Sequence, residues 1–174
     1  KYLGTTLEAI SGEKAGIIKP SVPVVSGATE PESQKVIAEQ AKQLGCHREQ
    51  LGEQFSIVDG TIGSWIYKRT TAGKAQTVKG LQTGIVPVYQ KQNIAVAITA
   101  AFLMKDLGFD KLNINHITDG FSMVKWPGRM EFLSGVKTMT GASSVDFLLD
   151  GAHNVSGVEG LYELLLKNYG QREK

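Results

Sequence analysis

Apolar residues recur along this chain with the two spacings that separate helices from strands. Spacings of three and four residues predict amphipathic helices at 5–18, 30–44, 89–107 and 113–123 and over the segment that follows Asn154. Between them, short apolar runs predict strands near 22–25, 55–58, 65–67, 78–81, 85–88, 129–133 and 145–149. This alternation of helices and strands is typical of α/β folds.

The first half of the chain has a βαβ-like succession, with a strand at 22–25, a helix at 30–44 and a strand at 55–58. From 55 to 88 the predicted strands are short, and Gly73 is placed for a hairpin turn. Antiparallel strands of this kind are expected at an edge of the sheet.

The last predicted strand and helix are joined by a turn that carries Asp150 and His153. The apolar run 145–149 predicts a buried strand, and Asn154 or Ser156 can cap the helix that follows. In open α/β folds, ligands bind beyond the carboxyl ends of strands, beside helix N-termini that favour anions. The turn is therefore a candidate ligand site. The alternative is that Asp150 only stabilises the turn and that His153 is an ordinary surface histidine.

Two further polar residues occupy positions that suit a nucleotide. Asn93 lies in the opening turn of the helix at 89–107, where an amide can contact a purine; the alternative is a plain polar residue. Arg129 follows the turn signal Pro127-Gly128, and its planar, permanently charged guanidinium suits phosphate. Its alternative is a solvated surface arginine.

The composition of the chain favours a globular protein and argues against several other classes. The 174 residues suffice for one domain, or for one domain and part of another. With 41% hydrophobic residues, a net charge of +2 and 19 scattered basic residues, the chain is typical of a globular protein and lacks the basic stripe of a nucleic-acid binder. Nothing approaches the run of about 20 apolar residues that spans a membrane. The single cysteine, Cys46, excludes an internal disulfide and suits a reducing compartment.

The common catalytic motifs are absent from the sequence. One cysteine and three scattered histidines do not supply a zinc cluster, and there is no G-x-S-x-G elbow, GxGxxG loop or P-loop. A nucleotide enzyme is expected to have a phosphate loop, so its absence needs an explanation. The chain also lacks an initial Met, and we expect it to be a fragment.

Three blocks, in order along the chain, provide that explanation. They are YLGTTLEAISGEKAGIIKP (2–20), WPGRMEFL (126–133) and LLDGAHNVSG (148–157), and they are supported by Tyr89-Gln90-x-x-Asn93 ahead of an alanine-rich helix. Together they resemble the folylpolyglutamate synthase/dihydrofolate synthase family of the Mur ligase superfamily. The resemblance implies the C-terminal half of a Mur-ligase-like central ATP-binding domain at 1–124 and the start of a Rossmann-like C-terminal domain at 125–174.

The resemblance also implies the chemistry of the parent protein. In this family a carboxylate of dihydropteroate or folate attacks the γ-phosphate of ATP, and L-glutamate then displaces phosphate from the acyl phosphate. ATP and Mg²⁺ are the implied cofactors, because the charges that gather at the transition state require a metal ion and a cationic side chain. The resemblance leads us to expect a monomer in the cytoplasm, or in mitochondria, with no nucleic-acid or membrane partner.

Five residues take roles by the same resemblance. Lys14 corresponds to a family lysine that is modified to a carbamate and helps to order the metal site. The resemblance implies that Asn93 contacts the adenine and that Arg129 contacts the phosphates of ATP. It also implies that Asp150 contacts the ribose and that His153 lines the nucleotide pocket. The phosphate loop and the metal ligands are expected outside residues 1–174, so we expect the chain alone to be inactive.

Three alternatives stay open. Dihydrofolate synthase, folylpolyglutamate synthase and a bifunctional enzyme are not distinguished, although DGAHN with an asparagine is closer to dihydrofolate synthases. A muramyl-peptide ligase tends to D-x-A-H-x-P, and no proline closely follows His153. The third alternative comes from another class of protein: a non-catalytic nucleotide-binding remnant of a Mur-type ligase. A phosphate loop encoded upstream would favour the enzyme.

Overall fold

The computed structural model describes residues 4–61, 64–81, 90–124, 126–141 and 144–169. The helices are α1 (Leu7–Ala15), α2 (Pro31–Gln43), α3 (Lys91–Asp106), α4 (Ile114–Met123) and α5 (Val155–Tyr169). The strands are β1 (Val24–Ser26), β2 (Arg48–Gln50), β3 (Phe55–Asp59), β4 (Trp65–Thr71), β5 (Lys74–Leu81), β6 (Glu131–Lys137) and β7 (Ser144–Leu149). The predicted α/β class is confirmed.

The chain divides into two compact units. The first unit comprises Lys1–Leu81 and Gln92–Thr118, and the second comprises Gln82–Lys91 and Asp119–Lys174. The domain boundary between 124 and 125 stays a prediction.

The first unit contains a βαβ motif. β1 and β2 are parallel, with Ser26 opposite Gln50, and α2 is the crossover between them. The strand predicted at 55–58 is present as β3, but its expected place as the second strand of this motif is wrong. β2 lies earlier in the chain, in a segment so polar that no apolar pattern marks it. Glu49 and Gln50 of this strand are nevertheless fully buried.

Strands β3, β4 and β5 form a sheet of their own, in that order, rather than the predicted edge of the βαβ sheet. An isolated bridge between Leu51 and Phe55 joins the residues that follow β2 to the start of β3. Ala72 and Gly73 form the turn between β4 and β5, with left-handed φ values of 47° and 74°, as tight hairpins require. The hairpin predicted around Gly73 is therefore confirmed. The strand predicted at 85–88 lies outside the described residues.

Helix α3 supplies much of the buried core of the first unit. Its buried residues come in adjacent pairs, one turn apart: Ile94 and Ala95, Ile98 and Thr99, Phe102 and Leu103. The Phe102 ring stacks on Tyr67 of β4, with 5.9 Å between the ring centroids. Within the described ranges, no helix is long and apolar enough to cross a membrane.

The second unit is built on a two-stranded ribbon. β6 and β7 are antiparallel, with Leu133 opposite Phe147, and α5 follows β7 after a polar turn. Asn154 caps α5, since its Oδ1 accepts a hydrogen bond from the Gly157 N–H at 2.8 Å. The prediction of a buried strand at 145–149 is wrong, because most of β7 is exposed. Two strands and one helix bury little apolar surface.

Candidate functional site

Two turns of the second unit are held together through Asp150. This residue directly follows β7, and its Oδ1 accepts from the Ala152 N–H at 2.7 Å. Its Oδ2 accepts from the Met130 N–H at 2.9 Å. The Gly151 N–H donates to the Gly128 carbonyl at 2.7 Å. The turn that precedes β6 is thus fixed against the turn that follows β7.

Arg129 is presented on this pair of turns. Gly128 and Met130, on either side of it, have left-handed φ values of 71° and 51°, so the backbone bends sharply at the arginine. A Cβ added to Gly151 would lie 3.8 Å from the guanidinium carbon of Arg129. The guanidinium therefore lies against the Gly151 backbone, and Arg129 and Asp150 come together on the same pair of turns.

His153 lies in the same turn as Asp150 and is exposed. Its Nδ1 is 2.9 Å from the Gly151 carbonyl oxygen. Because a carbonyl only accepts, Nδ1 carries the hydrogen, and Nε2 of the neutral ring is an acceptor. Asp150 does stabilise its turn, as the simpler interpretation holds. The ribose contact of Asp150, the phosphate contact of Arg129 and the pocket role of His153 stay predictions.

Lys14 lies in the last turn of α1, in the first unit. Thr6 caps this helix, its Oγ1 accepting from the Ala9 N–H at 3.1 Å. Lys14 is exposed and lines a cavity of about 470 Å³ formed by α1, β1 and the start of α2. Ser11 and Ser33 line the same cavity, and their hydroxyls are 2.8 Å apart. The carbamate on Lys14 stays a prediction.

Asn93 is exposed in the first turn of α3 and also belongs to the first unit. Val96, one turn further along α3, contacts the loop after β1. A Cβ added to Gly27 in that loop would lie 2.7 Å from Val96 Cγ2. The adenine contact of Asn93 stays a prediction. The first unit thus carries two of the predicted site residues, and the second carries three, Arg129, Asp150 and His153.

Sequence reasoning missed a buried ionic network in the first unit. Arg69 of β4 and Glu49 of β2 have 1% and 0% relative exposure. Two hydrogen bonds join them, from Nε at 2.7 Å and from Nη2 at 2.6 Å. Arg69 also donates to Asp106 of α3 at 3.0 Å and to Gln76 of β5 at 2.9 Å. No periodic signal marks this network, because isolated charges in short strands are usually solvated.

Burial and hydrogen bonding shift two pKa values around this network. Burial lowers the pKa of Arg69, but hydrogen bonds to Glu49 and Asp106 outweigh it, so the pKa is raised overall. Burial raises the pKa of Tyr67 to about 12. The Thr99 hydroxyl donates to a carbonyl of its own helix at 2.8 Å, so the Tyr67 hydroxyl donates to Thr99, also at 2.8 Å. Neither side chain changes its protonation state near neutral pH, so we assign the network a structural role.

The described residues contain no group of three or more His, Cys, Asp or Glu side chains that could hold a metal ion. These residues therefore give no ligand set to which the Mg²⁺ implied by the resemblance can be assigned. Magnesium binding stays a prediction for the complete protein.

The chain is similar to folate ligases over almost its whole length. It is 30% identical over 171 residues to folylpolyglutamate synthase of Lacticaseibacillus casei, a match that covers 98% of this chain and 38% of that protein. It is 31% identical over 172 residues to dihydrofolate synthase/folylpolyglutamate synthase of Bacillus subtilis, covering 96% and 37%. A solved folylpolyglutamate synthase–AMPPCP–folate complex superposes with a TM-score of 0.81 at 28% identity, covering 97% of this chain and 39% of that one. No protein-family profile matches the chain.

These matches agree with the resemblance carried by the sequence blocks and with the α/β fold. The chain spans 37–38% of the length of the two relatives. In sequence and in its Mur-ligase-like fold, the chain is similar to a segment of the folylpolyglutamate and dihydrofolate synthases.

Proposed function

We propose that this chain supplies nucleotide-contacting residues to an ATP-dependent ligase that adds L-glutamate to dihydropteroate, to folate or to both. The observation that carries the proposal is the pair of turns fixed by Asp150, which presents Arg129 against Gly151. A guanidinium on a fixed turn suits phosphate, because its fork matches phosphate oxygens. The names of the relatives, and the AMPPCP and folate in one solved relative, support the substrate class.

The proposed reaction has two steps. A carboxylate oxygen of the acceptor attacks the γ-phosphorus, ADP leaves, and an acyl phosphate forms. The amino nitrogen of glutamate then attacks the acyl carbon, loses a proton and expels phosphate. Negative charge accumulates on the transferred phosphoryl group, and Arg129 neutralises part of it.

The other site residues bind and orient the nucleotide in this proposal. Asp150 accepts from a ribose hydroxyl, the amide of Asn93 pairs with adenine, and His153 lines the pocket. Lys14, as a carbamate, helps to order Mg²⁺, which when bound lowers the repulsion between carboxylate and triphosphate. Because the described residues form no metal cluster, we assign no step to the metal. A monomer in the cytoplasm or in mitochondria belongs to the same proposal.

The 174-residue chain by itself is proposed to be inactive. Its sequence contains no G-x-x-G-K-G-[ST] loop, and such a loop is what cradles the phosphates in related chemistry. The chain alone, incubated with ATP, dihydropteroate and glutamate, is therefore expected to release no ADP above a protein-free control. Turnover by residues 1–174 alone would contradict this.

The test uses the complete polypeptide that contains this chain. We expect labelled glutamate to be incorporated into dihydropteroate, folate or both, only when ATP is present. If the acceptor carboxylate carries ¹⁸O, one labelled oxygen should appear in the released phosphate, as an acyl phosphate requires. The acceptor that is labelled distinguishes the two synthase activities. Nucleotide binding without incorporation would instead support the non-catalytic remnant.

Arg129 variants test the part played by the paired turns. Arg129→Ala is expected to lower kcat/KM by about 100-fold or more, since a transition-state charge contact is lost. Arg129→Lys keeps the charge but loses the fork, so an intermediate loss is expected. Lys137→Ala removes an exposed cation of β6 and is the matched control, with kcat/KM unchanged. Equal losses in Arg129→Ala and Lys137→Ala would contradict the role of Arg129.

A further inference from the structure

The loop 27–30, which we term the Ala28 loop, leads from the carboxyl end of β1 into α2. Side chains hold both polar main-chain groups of Ala28. Its N–H donates to Ser26 Oγ at 3.3 Å. Its carbonyl accepts from Gln50 Nε2 at 2.7 Å and from Gln34 Nε2 at 2.9 Å. The loop is therefore tied to β2 on one side and to α2 on the other.

Gln50 is the more constrained of the two glutamines. It has 0% relative exposure, and its Oε1 accepts from Arg48 Nη1 at 2.9 Å. Because a guanidinium only donates, this contact fixes which end of the amide is oxygen, and Nε2 must face the Ala28 carbonyl. Nε2 also donates to the Leu51 carbonyl at 3.2 Å. Both amide hydrogens are thus used, and the side chain has a single favourable orientation.

The Ala28 loop also packs tightly against α3. The 2.7 Å that a Cβ on Gly27 would leave to Val96 Cγ2 is closer than real Cβ contacts come, so the loop backbone touches the helix surface. Asn93 lies three residues before Val96, on the neighbouring turn of the same helix face. On its other side, the loop lines the cavity that Lys14 also lines. A displacement of the loop would therefore move the start of α3 and the wall of this cavity together.

We infer that Gln50 is a positioning residue for the nucleotide site: through the Ala28 carbonyl it holds the Ala28 loop against α3 and so fixes the turn that carries Asn93. Gln50 touches no substrate in this inference. The inference rests on the proposed nucleotide role of Asn93. It does not depend on which acceptor is glutamylated, or on whether glutamate is ligated at all.

The test measures the Kd of AMPPCP for the complete polypeptide. Gln50→Leu removes both donors, and Gln50→Glu keeps the shape of the side chain while also removing them. We expect each to raise the Kd about tenfold, which corresponds to about 1.4 kcal/mol. Gln43→Leu changes an exposed glutamine at the end of α2 and is the control, with the Kd unchanged. Hydrogen exchange should become faster in residues 26–30 of the two Gln50 variants.

Two further variants approach the same loop from other sides. Gln34→Leu removes the second donor to Ala28 and is expected to raise the Kd about threefold. Combined with Gln50→Leu, it should raise the Kd by more than the product of the two single effects, because the carbonyl then has no donor. Gly27→Ala pushes the loop away from Val96 and should raise the Kd while all the glutamine contacts remain. Gly27→Ala therefore still tests the inference if the Gln50→Leu variant does not fold.

Distinct outcomes decide between this inference and the proposed function. A folded Gln50→Glu or Gly27→Ala variant that binds AMPPCP like the wild type would overturn the inference. Thermal destabilisation with an unchanged Kd would do the same, because it would show a merely structural glutamine. A wild-type protein that binds AMPPCP but never ligates glutamate would overturn the proposed function alone. The AMPPCP Kd values of the variants would still test the role of Gln50.

Discussion

The two compact units hold their turns in place by different means. Among the hydrophobic residues that are buried in the described part of the chain, all except Met130 belong to the first unit. There, the Tyr67 ring and the fully buried pair of Arg69 and Glu49 cluster around β4. In the second unit the carboxylate of Asp150 bonds to both turns and that of Glu131 accepts from the Gly128 N–H at 2.8 Å, beside mostly exposed strands.

The difference shows which physical effect supports each group of predicted site residues. In the first unit water is excluded, so removing one partner leaves a buried charge or donor uncompensated. In the second unit little apolar area is buried, so directional hydrogen bonds to a charged acceptor hold the turns. Substitutions should rank accordingly, from the buried ion pair down to the exposed apolar residues.

The largest effect is expected at Arg69. Arg69→Met keeps much of the side-chain volume but leaves the carboxylate of Glu49, at 0% relative exposure, without the guanidinium that now donates to both of its oxygens. Removing one partner of a buried pair costs about 3–5 kcal/mol. Urea unfolding of the complete polypeptide, followed by tryptophan fluorescence, measures this loss, since Trp65 lies in the same strand.

Lys35→Met is the matched control for Arg69. Lys35 pairs at 4.0 Å with Glu39 on the surface of α2, where the two side chains are 76% and 60% exposed, and such pairs contribute about 1 kcal/mol or less. A similar loss in the two variants would mean that Glu49 finds another cation. His47 is the nearest candidate, because its Nε2 lies 3.3 Å from Glu49 Oε1. The contrast between buried and exposed pairs would then fail.

The next effect is a pH dependence that arises from Tyr67. Burial raises its pKa to about 12, against about 10 for an unfolded tyrosine. As the pH rises, the unfolded chain loses this proton first. The stabilisation is therefore complete below about pH 10 and is lost between about pH 10 and 12, by about 2–3 kcal/mol in all.

Tyr67→Phe isolates this contribution. The variant should lose about 1 kcal/mol at neutral pH with the hydrogen bond to Thr99. Its free energy of unfolding should then fall less steeply than that of the wild type between about pH 10 and 12. Tyr162→Phe is the control, since Tyr162 is 61% exposed, and it should follow the wild-type curve. Parallel curves for wild type and Tyr67→Phe would contradict the assignment.

A smaller, local effect is expected at Asp150. In Asp150→Asn the side chain keeps one oxygen, which can accept from only one of the two main-chain donors, the N–H groups of Met130 and Ala152. The new amide N–H₂ group then faces the second N–H group. We expect the turns to loosen by about 1–3 kcal/mol, seen as amide exchange of Met130 that is about 10 to 100 times faster. Asp146→Asn is the control, because Asp146 accepts from the Gly135 N–H at 2.9 Å through one oxygen, which asparagine keeps. Unchanged exchange at Met130 would show that the carboxylate does not hold the turns.

The features that the sequence predicts are those that depend on a few neighbouring residues. The cap at Asn154 and the hairpin at Gly73 follow from local chemistry, and the structure has both. The pairing of Arg69 with Glu49 joins residues 20 positions apart, and nothing local distinguishes buried charges from solvated ones. The exposure of β7 was equally beyond local patterns, because an apolar strand is buried only where other elements cover it.

The smallest effect is expected on the ribbon of the second unit. Phe147 of β7 is 45% exposed, so Phe147→Ala should cost about 1 kcal/mol or less, since much of its apolar area is already in contact with water. Its buried counterpart, Phe55, is 1% exposed, and Phe55→Ala should cost about 3–5 kcal/mol. Urea midpoints of the complete polypeptide compare the two. Equal costs would mean that another part of that polypeptide covers the ribbon, and apolar burial would then join Asp150 in fixing Arg129.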